Sequence, residues 1–279
     1  MQNFNGTIQE NDQFISANNR GLNYGDAIFE TIKYTSGKVL FWEDHYFRLM
    51  ASMRIMRMEI PMSFTMEFLE AEIIKSLKAN GLENNTARVK VIVYRKDGGL
   101  YTPETNDVEF VISVSVLESD VYALNKEPYE VDLFKDYYLS PSLLSTLKTN
   151  NKALNIVGSI YAKENGLNNC LILNTEKQVV EALNGNIFLV KGNTIKTPPL
   201  ADGCLKGIMR QQILELGKSW KEYTFEEASI SPFELQKADE LFITNVIWGI
   251  QPISKYRKKV FTTDVSEKLI EKLNERITA

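Results

Sequence analysis

One histidine, His45, stands in the 279 residues, and only two cysteines, Cys170 and Cys204. A single imidazole leaves nothing from which to build a multi-histidine metal site, and it makes a Ser-His-Asp triad a poor fit. The cysteines lie in unrelated contexts with no CxxC spacing, which argues against structural zinc, so no metal is expected. Long apolar runs are missing too. The best stretch, Phe110 to Leu117, has the length of a strand and falls well short of the roughly 18 residues of a membrane span. The opening MQNFNGTIQEND has neither a basic start nor an apolar segment, so no secretory signal is expected. There is no basic excess: 32 Lys plus Arg oppose 36 Asp plus Glu, net −4. Polyanion and anionic-membrane binding demand the reverse balance. These absences together describe a soluble, cytoplasmic protein with neither nucleic-acid nor membrane partners.

What is present is ordinary for a folded chain, with 44% apolar and 24% charged residues. The length allows one large domain or two smaller ones. Ile28 to Tyr34 and Lys38 to Trp42 are apolar-rich and flank Ser36-Gly37, which predicts a hairpin. Helical spacing follows from Glu43 to Met58 and again from Thr65 to Ala79, where Met66, Leu69, Ile73 and Leu77 share one face. Val89, Val91 and Val93, then Phe110, Ile112, Val114 and Val116, predict two alternating strands. Glu118 to Pro128 is polar and aperiodic, so a domain boundary is expected there, dividing the chain into 1–120 and 121–279. Beyond it, a helix over 151–164, strands over 170–173, 178–182 and 187–190, a helix opening at Gly207, a capping box at Ser231-Pro232-Phe233-Glu234, a strand over 240–244 and a helix over 264–277 are expected. Hairpins mixed with helices predict an α+β fold of two α/β lobes with mixed sheets.

Several polar features exceed what packing requires. Arg20-Gly21-Leu22-Asn23-Tyr24-Gly25-Asp26 feeds a loop into the strand carrying Phe29-Glu30-Thr31. Arg48 lies beside Leu49 on the first helix, placed either to lay its stem on apolar surface or to grip a phosphate. Lys148 sits in an Asn-rich bend, as a solvated cation or as a cleft amine able to condense with a carbonyl. Glu181 follows Val179-Val180, so its carboxylate is expected to point inward and to need a partner. Gly207 opens a helix, whose N–H groups can hold an anion.

In order, RGLNYGDAIFET, HYFRL, LKT, VVEALNGNIF, TPPL, LKGIMRQ and ADELFITN resemble the class IV, or fold-type IV, pyridoxal-phosphate enzymes. That superfamily comprises branched-chain and D-amino-acid aminotransferases and aminodeoxychorismate lyase. The resemblance spans about residues 20 to 253. It implies a homodimer that binds pyridoxal 5'-phosphate in a cleft between the two lobes, with 121–279 as the cofactor-binding domain, and that acts on a small amino substrate. It further implies that Lys148 is the catalytic lysine that holds the cofactor. Lys152 is the competing candidate, but it would require a deletion of about one helical turn before Gly166 and Glu181. Glu181 would face the cofactor's ring nitrogen. Arg48, Gly207, Ile208, Met209, Thr244 and Asn245 would surround the phosphate, although Val246 stands where aminotransferases usually carry a further threonine. Tyr24 and Glu30 match pocket positions, and His45 is expected to be structural.

Reaction type stays open between two branches. Gly207-Ile208-Met209-Arg210-Gln211 and Thr244-Asn245 resemble the lyase. Arg95-Lys96-Asp97-Gly98-Gly99-Leu100-Tyr101 resembles a shortened lyase loop that lacks its second arginine, leaving Arg95 and Tyr101 as candidate substrate contacts. The leading expectation is an aminodeoxychorismate lyase of folate biosynthesis. The alternatives are an amino-acid aminotransferase and a catalytically silent relative.

Overall fold

Period-two alternation organises the first part of the chain. The computed structural model describes residues 1–11 and 15–278. Met1–Asp120 together with Leu147–Asn151 form one compact unit, and Val121–Thr146 with the chain from Lys152 onward form a second. The first unit contains β1 (Gln2–Phe4), β2 (Thr7–Gln9), α1 (Arg20–Tyr24), β3 (Ala27–Thr35), β4 (Lys38–Val39), α2 (Trp42–Ile55), α3 (Met66–Ala79), β5 (Ala87–Arg95) and β6 (Val108–Val116). The strands make one sheet in the order β2-β1-β6-β5-β3-β4, antiparallel throughout.

One face of this sheet is core. Ile28, Ile32, Val89, Val91, Val93, Phe110 and Ile112 pack with Leu49 and Met53 of α2 and with Leu69, Ile73 and Leu77 of α3. Truncating one such side chain to alanine costs about 2–5 kcal/mol. Thr65 caps α3 by accepting the Phe68 N–H at 3.1 Å. Ser36 and Gly37, at φ 50 and 76, form the expected hairpin turn. The second strand of that hairpin is shorter than its apolar run, because Phe41 adopts φ 54 and Trp42 opens α2.

The opposite face of the sheet is graded. Phe29, Ile92 and Val111 form one cross-strand row, Thr31, Lys90 and Ser113 the next, and Lys33, Arg88 and Ser115 a third. Alternation makes these rows as regular as the core beneath them.

The second unit contains β7 (Glu130–Leu139), α4 (Ala153–Glu164), β8 (Asn169–Asn174), β9 (Val179–Ala182), β10 (Asn186–Lys191), β11 (Thr194–Thr197), α5 (Ile208–Ser219), β12 (Thr224–Glu227), α6 (Pro232–Leu235), β13 (Glu240–Asn245), β14 (Gly249–Pro252), β15 (Lys255–Tyr256), β16 (Lys259–Val260) and α7 (Asp264–Thr278). Two sheets, β12-β11-β10-β13-β14 and β16-β15-β7-β8-β9, are mixed: β11 runs parallel to β12, and β7 runs parallel to both β15 and β8. The architecture is α+β, with mixed sheets in this unit and an antiparallel one in the first. Leu171, Leu173, Val179, Ile187, Leu241 and Ile243 belong to one core that draws on both sheets. Glu240 is buried and accepts the backbone N–H groups of Val265 and Ser266, at 2.7 and 3.1 Å, anchoring the start of α7. The Ser231 capping box forms, around a helix of a single turn. Among the described residues, no helix is long and apolar enough to cross a membrane.

Candidate active site

Two groups of polar side chains stand out, one in each unit. In the first unit, Leu147–Asn151 lies along β3. The Phe29 N–H donates to the Lys148 carbonyl at 2.8 Å, and the Asn150 N–H donates to the Ala27 carbonyl at 2.9 Å. These bonds fix the backbone at and just after Lys148, whose Nζ lies 4.5 Å from the centroid of the Phe29 ring. Lys148 was expected within a C-terminal domain spanning 121–279. Its backbone pairing with β3 instead places it in the first unit, with Arg48.

Glu30, 2% exposed, sits at the centre of this group. It takes Arg48 Nε at 2.8 Å and Arg48 Nη2 at 2.5 Å, a bidentate fork, and His45 Nδ1 at 2.7 Å. Burial alone would raise the Glu30 carboxyl. The Arg48 charge and the hydrogen bonds from His45 and Arg48 overcome that and hold it at about 2. Burial pushes the His45 imidazole below its usual value, against the opposing pull of Glu30. A neutral ring donating from Nδ1 fits this arrangement. Glu30 matches a pocket-lining position by sequence, but here both of its oxygens are taken by Arg48 and His45, so it acts by orienting the guanidinium.

Arg95 is likewise engaged by the scaffold. Its guanidinium donates to Asp26 (2.9 Å), Asn106 (2.5 Å) and the carbonyls of Met56 (2.7 Å) and Arg57 (3.1 Å), and it is 5% exposed. These bonds brace the base of its loop and leave no open fork for a substrate carboxylate. Arg20 shares Asp26 at 2.9 Å and reaches the carbonyls of Gly98, Gly99 and Leu100. Tyr24 and Tyr101 pack against each other at 5.9 Å between centroids, and Tyr101 is 92% exposed.

In the second unit, Glu181 on β9 is buried and accepts the Leu205 N–H at 2.8 Å. Asn186 on β10 donates to the Leu205 carbonyl at 2.8 Å and pairs in register with Thr244 on β13. Leu205 to Gly207 is therefore held from two sides just before α5 begins. Gly207 is the residue preceding the helix, and a Cβ there would overlap Asn186 Oδ1, so the close approach requires glycine. Asn186 carried no role in the sequence reading. The NGN triplet in which it stands was its only signal, and that alone does not tell a turn from a cradle.

This second group suits a phosphate. No side chain caps α5, so no cap occupies the N–H groups of Ile208 and Met209. Thr244 Oγ1 is buried and has no hydrogen-bond partner among the described residues, the state of a hydroxyl shaped for a ligand oxygen. Asn245 is occupied locally: its Oδ1 accepts Ile247 N at 3.0 Å and Trp248 N at 3.3 Å, so it shapes the turn after β13. Pyridoxal phosphate, with one phosphate and one ring nitrogen, matches a set of helix N–H and hydroxyl donors together with one buried carboxylate acceptor.

The comparisons agree with this chemistry. Residues 27–256 match the family model described as amino-transferase class IV. The chain is 27% identical to a D-alanine aminotransferase of Listeria innocua, covering 88% of this chain and 84% of that protein. It is 25% identical to an aminodeoxychorismate lyase of Vibrio harveyi, covering 84% of each. A branched-chain aminotransferase from Thermoproteus uzoniensis, solved with norvaline, superposes with a TM-score of 0.88 at 26% identity, covering 99% of this chain and 93% of that one. The chain thus belongs to the class IV aminotransferase family, the pyridoxal-phosphate-dependent enzymes of fold type IV.

Proposed function

We propose that this enzyme is an aminodeoxychorismate lyase, releasing pyruvate from 4-amino-4-deoxychorismate to leave 4-aminobenzoate for folate synthesis. The observation that carries this reading is the Gly98-Gly99 turn. At φ 119 and 73 both positions lie where side chains are disfavoured, and a Cβ on Gly99 would overlap the Thr102 carbonyl. The glycine pair of the lyase-like loop is therefore demanded by the backbone, and Arg20 fastens it.

Lys148 would hold the cofactor, with Arg48, Gly207, Ile208, Met209 and Thr244 around the phosphate and Glu181 toward the ring nitrogen. Bound there, the cofactor supplies an aldehyde for the substrate amine and a ring that accepts electrons. Lys148 Nζ, when not engaged with the cofactor, would be the base that takes the substrate proton. Glu30 keeps the Arg48 fork aimed, and Asn186 with Glu181 keeps Leu205 to Gly207 in place.

Aminotransfer is the second reading, favoured by the D-alanine and branched-chain aminotransferases among the similar proteins. It uses the same residues with a keto acid as product. One coupled assay separates the two: pyruvate released from aminodeoxychorismate against keto acid formed from a panel of D- and L-amino acids. The lyase reading expects the first signal to dominate at matched substrate concentration. Keto-acid formation without pyruvate release overturns it in favour of aminotransfer.

The enzyme is further proposed to be a cytoplasmic homodimer. Ile156, Val157 and Ile160 on α4 lie about half exposed on adjoining turns, more apolar surface than one helix face usually leaves in water. Sedimentation at micromolar concentration is expected to show a dimer, and Ile156→Glu with Ile160→Glu to shift it to monomer. A wild-type monomer excludes this assembly.

A further inference from the structure

Two ammonium groups meet one aromatic ring in the first unit. Lys90 Nζ lies 5.0 Å from the centroid of the Phe29 ring, and Lys148 Nζ lies 4.5 Å from the same centroid. The two nitrogens are therefore within about 10 Å of each other. Ile92 and Val111 complete the cross-strand row of Phe29, so hydrocarbon borders the ring. Charges act on each other more strongly beside hydrocarbon than through water. Most other charges on the elements around Lys148 are spent on one another. Both oxygens of Glu30 on β3 are taken by Arg48 and His45 of α2. The His45 ring is close enough to feel the Lys148 charge, but burial is the first cause of its lowered pKa. On β6, Glu109 is engaged by Tyr94. Leu147, Thr149, Asn150 and Asn151 carry no charge. Lys90 differs. Among the described residues it has no carboxylate within ion-pair distance, and the next residue along β5 on its face is another cation, Arg88. Burial, and then Arg88, push the Lys90 ammonium below its usual value.

We propose that Lys90 is an electrostatic positioning residue for Lys148: its uncompensated positive charge, held against the shared Phe29 ring, disfavours the ammonium form of Lys148 and keeps the amine ready to act as a base. The inference rests on Lys148 being the reacting amine. A lysine in water keeps its proton to about pH 10 and is a poor base below that. A second cation close by is one way to release the proton. At about 10 Å, and at the effective dielectric of a half-buried pair, the repulsion is worth about half to one pH unit. The role asks no contact between Lys90 and a reacting atom.

The test titrates substrate-free holoenzyme and follows the pH midpoint of the cofactor's visible band, which reports protonation at the nitrogen that lysine and cofactor share. Lys90→Met should raise that midpoint by about half to one pH unit. Lys90→Glu should raise it further, and Lys90→Arg should keep it at or below the wild-type value. Arg88→Met, two residues farther along β5, should move it less than Lys90→Met does. In turnover, the acid limb of the kcat profile should move up together with the midpoint. A purely structural Lys90 would change stability or cofactor retention and leave the midpoint where it was. A midpoint unchanged in Lys90→Met, or raised equally by Lys90→Arg, overturns the inference while leaving the cofactor assignment standing. Borohydride reduction and peptide mapping run alongside on every variant, and a label on Lys152 instead of Lys148 overturns the cofactor assignment and this inference with it.

Discussion

Lys148→Ala is expected to abolish both turnover and covalent attachment of the cofactor, whereas Lys152→Ala should retain the attached, coloured form. The two lysines differ by four positions and by environment. Lys148 is clamped through its own carbonyl to Phe29 and flanked by the Asn150–Ala27 bond, so its amine starts from a fixed backbone. Lys152 immediately precedes α4, and its carbonyl accepts the Ile156 N–H, which commits it to the helix start. A reacting amine must both tether an aldehyde and stand over the proton to be moved, and a fixed backbone serves both tasks. Losing it should cost several orders of magnitude in kcat. Mass spectrometry of the borohydride-reduced tryptic digest identifies the modified lysine directly, and a label on Lys152 would reverse the assignment.

Glu30→Ala should be the most damaging change in the first unit that does not touch a reacting atom. It removes the carboxylate that the Nε and Nη2 donors of Arg48 engage, where the Arg48 side chain is only 9% exposed. Breaking one side of a buried pair costs about 3–5 kcal/mol. Guanidinium-chloride unfolding measures this loss, and weaker retention of pyridoxal phosphate on dialysis should accompany it if Arg48 grips the phosphate. The same carboxylate sets an acid limit. Its folded value, about 2, lies below the ordinary 4.5, so its contribution to stability is complete above about pH 4.5 and is lost as pH falls toward 2. Glu30→Gln should flatten that part of the pH–stability curve. An unchanged curve would show that the Glu30–Arg48–His45 group contributes little to folding.

How much could be seen in advance depended on how local the deciding forces are. The α3 helix follows from four apolar residues at helical spacing and a threonine cap, all within one short stretch. The Ser231 capping box is equally self-contained. Strand β7 escaped because its alternation breaks: Val131, Leu133 and Phe134 are buried, but Lys135 to Tyr138 are exposed, and its partners β8 and β15 lie far along the chain. The site divides in the same way. Motif order nominates Lys148, Glu181, Arg48 and Gly207. What each side chain touches depends on residues distant in sequence, which is why Arg95 looked like a substrate contact until Asp26 and Asn106 were seen to hold it. Lys90 shows the opposite case: within an alternating strand a charged residue looks like part of a solvated face, and only the register with Phe29 sets it near Lys148.

The membership of Leu147–Asn151 in the first unit bears on how the protein is made. A nascent chain ending at residue 120 already contains every strand of the first sheet and both of its packed helices, yet lacks the five residues that lie along β3. Domains tend to fold in the order in which they leave the ribosome. The first unit can therefore assemble early with its lysine position empty, and the amine reaches it only after residues 121–146, which belong to the other unit, have been synthesised. If Lys148 is the reacting amine, any fragment truncated before residue 147 lacks it, however well its sheet is folded.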